Sequence, residues 1–194
     1  MRLYATDLSG HTLRRARSWD RWQDVPRPGP GSETDLQPVS DVVGHEGRLW
    51  YLEERESARR TQLWLASVDP GTGRYHSTPL DRPQPSSDSV TVGGHLYAGR
   101  LYAVVGGDIV AVDLGTRSLK VVGRLSRDVR RIAAPIVSWR EGTLSVLAFL
   151  DDHRTARWET YDLRSGSRTR SVDVPGLAEL ERQGAVTLTS FTTR

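Results

Sequence analysis

The residues best suited to chemistry in this sequence are two carboxylates and an imidazole that follow one another, Asp151, Asp152 and His153. Two carboxylates and an imidazole could hold a divalent cation, or supply an acid and a base. Three consecutive residues of a strand cannot all point at one centre, because successive side chains lie on opposite faces. Arg154 follows them directly, in a turn region rich in arginine. We therefore expect a solvated hairpin tip at these residues.

The other motifs that could support catalysis do not have the required spacing. The remaining histidines are scattered through predicted turns and strands, and no Gly-x-Ser-x-Gly nucleophile elbow occurs. The glycine pairs Gly93–Gly94 and Gly106–Gly107 are not followed by a helical pattern, so they do not predict a phosphate-binding loop. The sequence predicts no catalytic residue, no metal ligand set and no cofactor.

Composition restricts the class of protein further. The chain has 194 residues, of which 37% are apolar and 26% charged, as expected for one globular domain or a short repeat array. It has no cysteine, which excludes disulfides and zinc–thiolate sites. The net charge is +3, but Lys120 is the only lysine and the arginines form no stripe interleaved with aromatic residues. We therefore expect no nucleic-acid partner.

Membrane insertion and export are also not expected from the sequence. The longest apolar runs are much shorter than the roughly 20 residues that a spanning helix needs. The first ten residues lack the apolar core of a signal peptide. If Met1 is the true start, we expect a cytoplasmic protein; otherwise the compartment is unknown.

One stretch, residues 99–125, predicts strand, Gly-Gly-Asp turn, strand, Asp-Leu-Gly-Thr-Arg turn and strand. Its features recur on both sides and divide the chain into units. In chain order we predict an N-terminal hairpin of a partial blade (1–24), a Pro/Gly-rich connector (25–38), three repeats (39–80, 90–125 and 132–174), and a short helix or turn with a closing strand (176–194).

The spacing of turn residues defines the length of the repeat. Asp69, Asp113 and Asp162 each begin a predicted turn between the third and fourth strands, at intervals of 44 and 49 residues. Intervals of about 40–50 residues are typical of one four-stranded propeller blade. In these turns we expect the aspartate to accept hydrogen bonds from backbone N–H groups. We also expect a charged loop over residues 53–60.

The pattern Gly-x-Leu-Tyr from Gly99, then a strand, then Val-Asp-Leu-x-Thr from Val112 resembles degenerate β-propeller repeats of the YVTN, PQQ-like and TolB-like kind. The resemblance covers roughly residues 39–174 and the hairpin at 3–17. It implies an all-β, propeller-like array of antiparallel four-stranded blades, with three full blades and a partial fourth. The third strands end in Val-Asp or Tyr-Asp, which departs from the Trp-Asp of true WD repeats. Because such propellers include enzymes, carriers and scaffolds, the fold leaves the function open.

Three units and a hairpin do not fill a propeller ring, which usually has four to eight blades. Two solutions stay open. In one, residues 186–193 pair beside the N-terminal hairpin and close a small ring. In the other, the chain is a fragment of a larger propeller and its open sheet edges favour self-association.

A propeller presents on one side the turns between second and third strands and the linkers from each fourth strand to the next blade; we call this side the loop face. By analogy, the candidate binding residues of the loop face are Glu54, Arg55, Asp108, Asp151, Asp152, His153 and Arg154. We expect most aromatic side chains to pack between blades instead.

The leading functional hypothesis is a non-catalytic binding or interaction scaffold for a protein, peptide or glycan partner. The alternative is a hydrolase or lyase of the propeller type, with an acidic, cation-dependent site around Asp108 and Asp151. A second alternative is a truncated fragment with no function of its own.

Overall fold

The computed structural model describes residues 2–6, 13–18, 36–38, 40–57, 60–83, 91–126, 136–150 and 155–183. An N-terminal hairpin is formed by β1 (Arg2–Thr6) and β2 (Leu13–Ser18), which pair antiparallel. This confirms the hairpin predicted near residues 3–17, and its place in a partial blade stays a prediction.

Three antiparallel sheets follow the hairpin, and each is one blade. The first blade contains β3 (Leu36–Pro38), β4 (Val43–His45), β5 (Arg48–Ser57), β6 (Arg60–Val68) and β7 (Tyr75–Pro83). The second blade contains β8 (Thr91–Tyr97), β9 (Arg100–Val105), β10 (Asp108–Asp113) and β11 (Leu119–Arg124). The third blade contains β12 (Ile136–Arg140), β13 (Thr143–Phe149), β14 (Ala156–Asp162) and β15 (Arg168–Val174), followed by the helix α1 (Leu177–Arg182).

Strand order within the blades follows the order of the sequence, as in a propeller. The second and third blades run β8-β9-β10-β11 and β12-β13-β14-β15, whereas in the first blade two short strands, β3 and β4, both pair with β5. First strands of neighbouring blades lie side by side, and Asp41 N–H donates to the Gly93 carbonyl at 3.3 Å. The predicted all-β array of four-stranded blades is confirmed.

The predicted charged loop over residues 53–60 was wrong for most of its length. β5 continues to Ser57 and β6 begins at Arg60, so the two strands pair from Leu49 with Val68 to Ser57 with Arg60. Charged residues are tolerated in this part of the ladder because the side chains of Glu53 and Arg55 bind each other. β3 also lies inside the segment that we assigned to the connector, where it pairs with β5.

The aspartate turns have the predicted chemistry. Asp69 Oδ1 accepts from the N–H groups of Gly71 and Thr72 at 2.8 and 3.0 Å, and Asp113 does the same in the second blade. In the third blade Asp162 Oδ1 accepts from Ser165 N–H at 2.7 Å. Each of these carboxyls has a pKa below its ordinary value. The main cause is the hydrogen bond from the backbone N–H of the residue three positions later. Each turn is therefore stabilised by an ionised carboxylate.

Apolar side chains fill both spaces between blades. The cluster between the first and second blades includes Leu52, Leu65, Val110 and Val112, with Trp50 against it. The cluster between the second and third blades consists of residues from both blades, with Tyr97 and Trp139 packed against it. Its buried members are Tyr102, Val104, Ile109, Ala111, Leu125, Leu144, Val146, Ala148, Leu150, Tyr161 and Leu163. The expected role of these aromatic residues in packing between blades is confirmed, because they bury large apolar areas there.

A pair of glycines brings the second and third blades into backbone contact. Gly166, in the turn after β14, lies against Val122 and Gly123 of β11 so closely that an added Cβ would overlap the Val122 carbonyl. Gly166 also has a φ of +70°, which other residues rarely adopt. Among the described residues, no helix has the length and hydropathy needed to cross a membrane.

Candidate functional site

The structure describes three of the seven candidate residues of the loop face. Glu54 and Arg55 lie on β5, and Asp108 is the first residue of β10 in the next blade. Asp151 to Arg154 lie outside the described residues. Arg55 and Asp108 are not brought together, because Arg55 bonds to side chains of the first blade and Asp108 bonds across the second.

Arg55 lies within a strand, where its side chain is buried, and not on a loop. Its Nη2 donates to Glu53 Oε2 at 3.1 Å, to the Tyr75 hydroxyl at 2.7 Å and to Ser77 Oγ at 2.5 Å. Its guanidinium carbon lies 3.8 Å from the centre of the Trp64 ring, a cation–π contact. We call these residues the first-blade cluster: Glu53, Arg55, Trp64, Tyr75 and Ser77.

The carboxylate of Glu53 is the acceptor at the centre of the first-blade cluster. Glu53 is 1% exposed, and the Tyr75 hydroxyl lies 2.9 and 2.7 Å from its two oxygens. Burial is the largest cause that raises the pKa of Tyr75 to about 12, and burial followed by the charge of Glu53 raises the pKa of Tyr51 as well. Both phenols therefore stay protonated at neutral pH, and the charge of Glu53 is compensated by Arg55.

Asp108 also stabilises the sheet. It is 4% exposed, and its Oδ1 lies 3.0 Å from Nε of Arg124, its partner across the ladder between β10 and β11. Beside this pair, Leu125 N–H donates to the Gly107 carbonyl at 2.8 Å. Together these bonds hold the end of β11 to the Gly106–Gly107 turn and to the first residue of β10.

A third buried carboxylate, which is not among the residues predicted from the sequence, lies where the second and third blades meet. Glu159 of β14 is 0% exposed; Tyr161 donates to its Oε2 at 2.5 Å and Arg168 to its Oε1 at 2.8 Å. Ser126, which follows β11, donates its hydroxyl to Glu159 and its N–H to the Tyr161 oxygen at 3.2 Å. We call Ser126, Glu159, Tyr161 and Arg168 the seam cluster. Burial, and then the bond to Glu159, raises the pKa of Tyr161.

One signal in the sequence could have identified Glu159. It is two residues before Tyr161 on a strand, so the two side chains share a face. A charged residue on the same face as an aromatic core residue predicts a buried, paired carboxylate. Its partners Ser126 and Arg168 lie on other elements and were not predictable from strand periodicity.

The first strands of the second and third blades bring an imidazole and an indole together. The rings of His95 and Trp139 are stacked with centroids 5.8 Å apart and planes 7° apart. Burial lowers the pKa of His95. The neutral imidazole is therefore the form that the folded protein favours at neutral pH.

The described clusters are suited to holding strands and blades together: the first-blade cluster joins strands of one blade, and the seam cluster joins two blades. In each, a carboxylate is matched by an arginine, and hydroxyl groups complete its hydrogen bonds. A paired, fully bonded carboxylate is a fixed acceptor and a poor base, since protonating it would break those bonds. Among the described residues, no group of three or more potential metal ligands is present.

Comparison with known proteins agrees with this architecture. The family model described as "YycP, beta-propeller domain" matches residues 24–193. No curated protein is significantly similar to the sequence.

Several solved structures have a similar fold at low identity. Apo AztD from Citrobacter koseri is 13% identical, with a TM-score of 0.53, over 90% of this chain and 42% of that one. The acylaminoacyl peptidase of Pyrococcus horikoshii is 10% identical, with a TM-score of 0.48, over 74% of this chain and 25% of that one. The propeller domain of the Trilobed protease from Pyrococcus furiosus is 11% identical, with a TM-score of 0.45, over 74% of this chain and 44% of that one.

The chain spans less than half of each of these structures. At such identities the likeness extends to the fold alone, and the AztD match supports the propeller fold. The blades, their aspartate turns and the family match over most of the chain lead to one assignment. The protein belongs to the family of YycP β-propeller domains.

Proposed function

We propose that this propeller domain is a non-catalytic scaffold that binds a protein, peptide or glycan partner through its loop face. One observation carries the proposal: the buried carboxylates near the candidate site are engaged in holding the fold together. Asp108 binds Arg124 across the ladder, and Glu159 joins two blades.

This observation disfavours the alternative of an acidic, cation-dependent enzyme site around Asp108. A general base or metal ligand must reach substrate or cation with a free oxygen. The Asp108 side chain is 6% exposed and has a guanidinium 3.0 Å from Oδ1, so its charge is already compensated. The candidate residues at 151–154 are the part of the loop face that a partner would contact in this proposal.

The test compares binding and turnover in the same preparation. Ligands are first selected with the purified chain from a peptide display library and a glycan array. The triple variant Asp151→Ala, Asp152→Ala, His153→Ala should bind the selected ligand about tenfold or more weakly, because these residues are the proposed contact. Arg74→Ala, in an exposed turn between a third and a fourth strand and thus at the opposite end of a blade, is the matched control and should change affinity less than about twofold.

Turnover decides between the two classes of function. The wild-type chain is incubated with ester, peptide and glycoside substrates with and without divalent cations. A cation-dependent activity that disappears in the triple variant would overturn the scaffold proposal in favour of an enzyme.

A further inference from the structure

One face of the first blade is buried although it points away from the second blade. Leu52 and Leu65 project toward the second blade, so the alternate residues of β5 and β6 lie on the opposite face. On that face Tyr51 is 1% exposed and Glu53 1%, and the apolar side chains described in contact there all belong to the first blade. Neighbours in the same sheet lie beside a tyrosine ring and cannot cover it from above. Another part of the chain therefore lies on this face.

The other described elements have known places. The second blade occupies the opposite face of the first. The helix α1 packs on the third blade, where Ala178 contacts Leu147 and Ala156. The hairpin β1–β2 remains, and it forms a two-stranded sheet of its own. Such a hairpin is at best marginally stable in water and needs a surface on which to pack.

The seam cluster shows how a blade receives the unit before it. It lies on the face of the third blade that points to the second blade, and Ser126 of that preceding unit completes it. The first-blade cluster contains the same four polar residue types, Glu, Tyr, Arg and Ser, and lies on the face of the first blade that points away from the second blade. Its described members, Ser77 included, all belong to the first blade itself, so a contribution from a preceding unit is not among the bonds described there.

Two hydrogen-bond donors of the first-blade cluster lack an acceptor among the described residues. These donors are Arg55 Nε and Trp64 Nε1, and both are buried. The chain also enters the first blade at this point, because Leu36 of β3 pairs with Arg55. β3 therefore lies beside the cluster.

We propose that the hairpin β1–β2 packs on the Tyr51–Glu53 face of the first blade and acts there as the preceding, partial blade. Its partner surface is the polar first-blade cluster together with the apolar side chains around Ala66. Backbone carbonyls of the hairpin are the acceptors suited to Arg55 and Trp64.

Site-specific photo-crosslinking in the full chain tests this placement. The photoreactive amino acid p-benzoylphenylalanine replaces Tyr51 in one variant and the partly exposed Tyr75 in another, and crosslinked peptides are mapped by mass spectrometry. Crosslinks to residues 2–18 are the expected result. Crosslinks that map to any other segment outside the first blade, with none to residues 2–18, overturn the proposal.

A control on the same strand verifies that the blade is folded. The same replacement at Trp50, which lies on the opposite face of β5, should crosslink to the second blade. If the buried Tyr51 position does not tolerate the larger ring, judged by loss of cooperative unfolding, the Tyr75 variant decides alone. Absence of crosslinks to residues 2–18 in a folded Tyr75 variant counts against the proposal.

Discussion

At the scale of single residues, buried charges connect the blades. Glu159 accepts bonds from Ser126, Tyr161 and Arg168, which belong to two blades. Glu159 itself is fully buried, so removing one of its partners leaves the carboxylate short of a bond away from water, and this costs more than losing a surface bond would. Single substitutions there should therefore weaken the seam between blades.

We expect Glu159→Gln to lower the free energy of unfolding by about 1–3 kcal/mol, because the amide keeps the shape but loses the charge that faces Arg168. The lower part of the usual range for buried pairs is expected since the Arg168 side chain is 47% exposed. Urea unfolding gives the value, and Glu141→Gln in an exposed turn is the control. If both substitutions changed the free energy of unfolding equally, the seam cluster would contribute no more to stability than an exposed turn residue.

His95 should make stability depend on pH. Burial lowers its folded pKa below the ordinary value of 6.5, so the unfolded chain binds the proton more readily. Above pH 6.5, His95 makes its full contribution to the free energy of unfolding. This contribution is lost as the pH falls through the folded pKa. Unfolding free energies measured between pH 7.5 and 5 should fall toward acid, and this slope should be smaller in His95→Gln. The exposed His76→Gln is the control and should keep the wild-type slope.

At the scale of elements, turns fix how strands follow one another. The turns from β4 to β5 and from β8 to β9 have positive φ at two consecutive residues, 49° and 72° at Ala98 and Gly99 in the second case. Two-residue hairpin turns of this type favour Asn or Gly at both positions, because a Cβ is strained in the left-handed region. Glycine meets this demand at Gly99, but alanine does not at Ala98.

Ala98→Asn should therefore stabilise the protein, by about 0.5–1 kcal/mol, since asparagine tolerates the left-handed region. Gly99→Ala should do the opposite, by about 1–2 kcal/mol. No atom lies within 4 Å of a Cβ built on Gly99, so its effect would report backbone strain alone. Thermal unfolding of both variants measures the two changes in stability. Changes of the same sign would show that backbone strain does not determine the stability of this turn.

At the scale of the whole molecule, stability depends on how closely the blades dock. The turn after β14 lies against β11 of the second blade, and Gly166 is the residue that allows this approach. A methyl group there would force the third blade away from Val122 or distort the turn.

Gly166→Ala should lower the free energy of unfolding by about 3 kcal/mol or more, because it combines backbone strain with overlap between blades. Gly176→Ala is a matched control: its φ is +78°, but no atom lies within 4 Å of the added Cβ. The control should lose only about 1–2 kcal/mol. If urea unfolding shows the same loss of unfolding free energy for both variants, the contact between blades at Gly166 does not contribute to stability.

The repeat, the strand-and-turn order of the second blade and the role of the turn aspartates followed from the sequence alone, whereas the length of the β5–β6 ladder and the pairing of β3 in the first blade did not. The features that followed from the sequence act within a few residues, since strand periodicity and the capping of Asp113 need only the next three or four positions. Tertiary structure alone decided which charges are buried. Arg55 and Asp108 read as loop residues, yet both are buried in sheets, where Tyr75 binds Arg55 from 20 residues away. Glu159 meets Ser126 only because two blades dock, 33 residues apart in the chain. Local patterns carry no information about such partners, so the polar connections between blades appear only once the blades are packed.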